Sequence, residues 1–124
     1  MTNRAPCILS VSYDESLLLT REWILKRAGF AVTSALGFTE ALTHCENSAF
    51  DVVIIGHSIP KPDRIALVTH VRKHNHTRIL ALRRQGEEHI PDIDYFIEPS
   101  LGPDALLDAV RTTLATQSSS GNEV

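Results

Sequence analysis

The sequence has little of what would tie a protein to a membrane, a nucleic acid or an oxidising compartment. It carries only two cysteines, Cys7 and Cys45, far apart and outside any CxxC spacing. Both read as small buried hydrophobes in a reducing cytoplasm. No apolar run approaches the ~20 residues that a membrane-spanning helix needs, and Met1-Thr2-Asn3-Arg4 opens no signal peptide. The formal net charge is only −3, without a basic stripe, which argues against a nucleic-acid or anionic-membrane partner held by bulk electrostatics. Internal repeats are absent. What is present is the composition of an ordinary globule, 43% hydrophobic and 22% charged over 124 residues. That suits one domain, expected over 1–116, followed by a disordered polar tail over 117–124 (QSSSGNEV).

Within that domain, apolar segments of strand length alternate with segments of helical period. Cys7–Val11 (CILSV) is a short, almost continuously apolar run, as expected of a strand covered on both faces. Asp14 is placed to cap a helix with Leu17, Leu18, Trp23, Ile24, Leu25 and Ala28 as its apolar positions, and Gly29 ends it. Ala31–Ala35 is a weaker strand, and Gly37 and Thr39 open a short helix ending near Cys45. Asp51–Ile55 (DVVII) is the clearest strand, β-branched and closed by Gly56. Pro60 and Pro62 mark the next loop, with a helix from about Asp63 to Lys73 that buries Ile65, Leu67, Val68 and Val71. Ile79–Leu82 and Asp94–Ile97 are two more strands, and Pro103 starts a last helix over Ala105–Leu114.

Strict alternation with short links predicts a parallel sheet with helices on both faces. Such a sheet places its working loops at the carboxyl ends of the strands. Those ends are Ser12-Tyr13-Asp14, Gly56-His57, Arg83-Arg84 and Glu98-Pro99.

These pieces, taken in order, resemble the receiver domains of response regulators from about Cys7 to Leu114. The opening strand, Asp14 and the helix ending in Gly29-Phe30 look like the start of a receiver. Asp51 to Asp63, with Pro60 and Pro62, resembles the third strand and the proline-containing loop after it. Asp94-Tyr95-Phe96-Ile97-Glu98-Pro99 is similar to the fifth strand and its Lys-Pro end. The resemblance implies a flavodoxin-like, doubly wound α/β fold with five parallel strands in the order 2-1-3-4-5.

It also implies five roles that this sequence leaves vacant. Receivers take a phosphoryl group on an aspartate ending the third strand, where Gly56 stands. Their acidic pair that holds Mg²⁺ corresponds to Ser12 and Tyr13, their hydroxyl residue after the fourth strand to Arg83, and their lysine after the fifth to Glu98. The chemistry of the residues agrees, because glycine offers no nucleophile and the first loop holds one carboxylate, Asp14, better suited to capping a helix.

From Arg83 to Tyr95 the chain is shorter than receivers usually are. The segment includes Gly86 and Pro91, so the helix between the fourth and fifth strands is expected to be shortened to a turn or missing. A partner-binding face around Tyr95, Glu87, Glu88 and His89 would then be remodelled. Tyr95 sits where receivers often carry a switching aromatic, although a half-buried strand tyrosine with a wet hydroxyl fits equally well.

Other clusters have plainer readings. His70 and His74 lie one helical turn apart and His76 comes soon after, a spacing that suits imidazole ligands of Zn²⁺ or Ni²⁺, but solvated histidines at a helix end account for it without a metal. His57, next to Gly56, has an imidazole that could accept a phosphoryl group, but it reads as a loop residue at the pocket rim. Arg83 and Arg84 beside Glu87 and Glu88 could grip a phosphate or carboxylate, and Arg83 could pair with Glu98 across the vacant pocket.

The sequence therefore points to an atypical receiver domain without enzymatic activity, metal or cofactor. It would be cytoplasmic and act by phosphorylation-independent contact with a signalling protein, with self-association as another partner class. The competing reading is a flavodoxin-like domain that binds a small ligand in the vacant pocket. A flavin-phosphate loop fits poorly, since Ser10, Ser12 and Ser16 come without a glycine.

Overall fold

A computed structural model describes residues 5–73, 77–83, 93–98 and 102–121, with side chains through 115. Five parallel strands run β1 (Cys7–Ser12), β2 (Ala31–Leu36), β3 (Val52–Ile55), β4 (Arg78–Leu82) and β5 (Tyr95–Ile97). Four helices join them: α1 (Glu15–Arg27), α2 (Phe38–Asn47), α3 (Lys61–Arg72) and α4 (Pro103–Gly121). The sheet order is β2-β1-β3-β4-β5, and every pairing is parallel. This is the parallel, doubly covered sheet that the alternation predicts, in the flavodoxin-like order that the resemblance implies.

Alternation along the strands divides the core in two. Leu9, Val11, Val53, Ile55 and Ile79 point to one face, where α2 and α3 supply Ala41, Leu67, Val68 and Val71. Ile8, Val52, Ile54, Leu80 and Leu82 point to the other, against Leu25 of α1 and Leu106, Ala109 and Val110 of α4. Such double coverage is why these strands are apolar at successive positions rather than at every second one.

Asp14 caps α1 as its position suggests, its Oδ1 accepting from the Leu17 amide at 3.2 Å. Gly29 lies just past the helix at φ +99°, a conformation that costs a side-chain-bearing residue and that glycine adopts freely. Several expectations need correction. Trp23 is 62% exposed, with the Arg27 guanidinium 4.7 Å above its ring, and Ile65 is also exposed. The buried stripe of α1 is instead Leu18, Arg21 and Leu25, and α3 buries Arg64 alongside Leu67, Val68 and Val71. α3 begins at Lys61 with Pro62 in its first turn, where a missing N–H leaves no bond unmade. α4 runs beyond Leu114 to Gly121, across part of the expected tail. No glycine or proline stands between Pro103 and Gly121 to stop it.

β5 is held at its start by Asp94. Its Oδ2 accepts from the Ile79 amide at 2.7 Å and from Arg72 Nη2 at 2.8 Å, so one carboxylate joins α3, β4 and β5. The shortened or missing helix after β4 was expected within 84–92, which lies outside the described residues. His74, His76, Glu87, Glu88 and His89 lie outside them as well.

Candidate functional site

The carboxyl ends of β1 and β3 lie side by side, because Val11 pairs with Ile55 and the Gly56 amide donates to the Val11 carbonyl at 2.9 Å. Ser12, Tyr13 and Gly56 therefore meet. Ser12 is fully buried, its Oγ accepts from the Asp14 amide at 3.0 Å, and it lies 3.1 Å from Ser58 Oγ. Ser58 Oγ also accepts from the Tyr13 amide at 3.0 Å. The Tyr13 hydroxyl donates to Asp63 Oδ2, which ties the loop after β1 to the first turn of α3. Burial, then the bond to Asp63, raises the Tyr13 pKa above its ordinary value. A web of hydroxyls thus joins the first and third loops.

Gly56 is buried. A Cβ there would stand 2.9 Å from the Val11 carbonyl oxygen, 3.0 Å from Arg21 Nη1 and 3.6 Å from Ser12 Cβ. The space beside the end of β3 is therefore filled by backbone and by the guanidinium of α1. Arg21 is 6% exposed. Its Nη1 is buried without a hydrogen-bond partner, and among the described residues no ion pair includes it. Burial lowers its pKa, opposed by the charge of Asp14, yet a guanidinium keeps its proton in proteins. The residues do not fit the Mg²⁺ of a receiver. Asp14 caps a helix, Asp63 is engaged by the Tyr13 hydroxyl, hydroxyls replace the acidic pair, and a fixed cation stands where Gly56 would carry its side chain.

Among the described residues no ion pair joins Arg83 to Glu98. Arg83 places its guanidinium 4.9 Å from the centre of the Phe96 ring, and its amide donates to the Ile97 carbonyl at 2.9 Å. Glu98 instead lines a cleft between α1 and α4 together with Arg21. Strand alternation explains the contact of Arg83 with Phe96, since Tyr95 and Ile97 face α1 and α4 whereas Phe96, between them, faces the opposite side; Glu98, past the end of β5, departs from that alternation. Tyr95 is half-buried against that same apolar cluster. His57 is half-buried in the turn after Gly56. No group of three or more His, Cys, Asp or Glu side chains suited to a metal occurs among the described residues. Both cysteines are unbridged and half-buried, and burial raises the Cys45 pKa.

Sequence reasoning missed Arg21, Ser58 and Asp63 as members of this site. Arg21 had a readable signal, because it falls between Leu18 and Leu25 on one helical stripe. The partners of Ser58 and Asp63 lie 45 to 50 residues away in sequence, so no local pattern announces them.

The fold is that of CheY-like receiver domains. A response regulator receiver domain from Methanospirillum hungatei superposes with a TM-score of 0.81 at 21% identity, covering 94% of this chain and 99% of that one. The receiver domain of an HD-domain protein from Pseudomonas fluorescens gives 0.82 at 22%, again covering 94% and 99%. The chemotaxis protein CheY4 of Vibrio cholerae gives 0.76 at 23%, covering 89% and 99%. No model of a known protein family matches the sequence, and no curated protein matches it.

Proposed function

We propose that this chain is an atypical receiver module of two-component signalling that contacts a protein partner without ever taking a phosphoryl group. One observation carries the reading: Gly56, at the position of the family's phosphorylated aspartate, has no nucleophile, and its missing side chain is replaced by the Val11 carbonyl and the Arg21 guanidinium. The hydroxyl web of Ser12, Ser58, Tyr13 and Asp63 supports it further. It links the loops that a phosphoryl group and its metal would otherwise draw together. In this reading the protein is not an enzyme, works in the cytoplasm, and presents a surface whose state is set by its own side chains.

The test is an amide NMR spectrum recorded with and without beryllofluoride and Mg²⁺, on the native chain and on Gly56→Asp. Neither spectrum should change around Ser12, Gly56 and Arg83. In the variant the new carboxylate would meet Arg21 and become its partner rather than a phosphoryl acceptor. Stoichiometric, Mg²⁺-dependent shifts in the native protein would overturn the proposal.

A further inference from the structure

The guanidinium of Arg21 poses a problem that the reading above leaves unsolved. A buried cation without a counter-ion costs several kcal/mol, and Arg21 cannot escape by losing its proton. Asp14, whose charge acts on it, spends a carboxylate oxygen on the Leu17 amide and makes no ion pair with it among the described residues. Nη1 is sealed beneath Gly56, while the rest of the side chain forms part of the wall of the cleft between α1 and α4. That cleft has a volume of about 170 Å³, close to the ~150 Å³ of an engineered apolar cavity that accepts benzene. Leu17, Ile24, Leu82, Ile97 and Leu106 are half of its lining residues.

We propose that this cleft binds a small monocarboxylate with an apolar body, its carboxylate on Arg21 and its body among Leu17, Leu82, Ile97 and Leu106. A carboxylate matches the planar fork of a guanidinium, and the apolar walls favour a hydrocarbon or aryl group of benzene size. Charge selects against a phosphate. Among the described residues Arg21 is the one cation lining the cleft, and the acidic residue Glu98 lines it too, so a second negative charge on the ligand would find no second cation. Thr20 adds no competing donor, since its hydroxyl already donates to the Ser16 carbonyl at 2.9 Å. The ligand would sit against α1, on the opposite side of Arg21 from Gly56. The inference rests on the cleft and its cation, and holds whether or not the module contacts a protein partner.

The experiment is a methyl NMR titration of the full chain with benzoate and hexanoate, reading Leu17, Leu82, Ile97 and Leu106. Benzamide and hexanamide serve as neutral isosteres, inorganic phosphate as the dianionic control, and Arg21→Met as the variant. At least one carboxylate should give saturable shifts at those methyls, with its amide at least tenfold weaker, phosphate silent there, and Arg21→Met at least tenfold weaker for the carboxylate. Silence from both carboxylates, equal binding by the amide, equal binding by phosphate, or undiminished binding by Arg21→Met would each overturn the proposal. If Arg21→Met does not fold, the comparison of acid with amide on the native chain still decides. No phosphoryl donor or partner protein enters the measurement, so its outcome is separate from that of the phosphorylation test.

Discussion

Replacing Gly56 with alanine should destabilise the protein although it adds a single methyl group. The added carbon would stand 2.9 Å from the Val11 carbonyl oxygen and 3.0 Å from Arg21 Nη1. Carbon atoms at rest pack at ~3.5–4.0 Å. The arginine tip can swing away, but the carbonyl cannot do so freely. It belongs to the central strand β1 and already accepts from the Gly56 amide at 2.9 Å, so the two strand ends must separate and strain that bond. Overpacking of this kind costs ~1–3 kcal/mol. Against it stands the ~0.4–1 kcal/mol that alanine contributes by restricting the unfolded chain. The net loss should be about 1–2 kcal/mol, or a fall in Tm of roughly 4–10 °C. Urea titration monitored by circular dichroism measures it, and the slope of the transition should stay constant while the midpoint drops. The same substitution in an Arg21→Met background separates the two contacts. More than half of the loss should persist there, because the backbone oxygen is still in place. A Gly56→Ala protein as stable as the native one would refute the argument and show that the end of β3 has room for a side chain.

Arg83→Ala and Glu98→Ala should be additive in a double-mutant cycle, within a few tenths of a kcal/mol, since Arg83 stacks on Phe96 and Glu98 lines the α1–α4 cleft; a coupling of ~1 kcal/mol or more in denaturant titrations would restore the direct pair. Asp94→Ala should cost ~2 kcal/mol, because it removes the acceptor of both the Ile79 amide and Arg72. The loss should appear as faster hydrogen exchange at the Ile79 amide, and unchanged protection there would count against the bridging role.

The layered α/β fold could be read from the chain because its causes are local and repeated. DVVII at 51–55 and ILAL at 79–82 are apolar at adjacent positions, as strands covered twice must be. Asp14 and Gly29 mark the limits of α1 through bonds and dihedrals that involve only near neighbours. The strand order came from the family resemblance. The helical extension to Gly121 was missed because a polar composition says what the segment cannot bury, not where a helix already under way must end.

The site divides along a similar line. That Gly56 has no nucleophile and that Ser12 and Tyr13 cannot replace two carboxylates are properties of residue types, fixed before any folding. What the residues do in exchange depends on contacts across the sheet. Arg21 looks like one more charge on a helix until α1 packs against β1 and β2 and carries the guanidinium under Gly56. Arg83 and Glu98 follow adjacent strands, but the pleat directs Arg83 to Phe96, while Glu98, past the end of β5, turns to the α1–α4 cleft. Tyr13 finds Asp63 from fifty positions away. Residue chemistry limits what a position can do, whereas the partner it meets is chosen by packing, which brings together segments that share no local pattern.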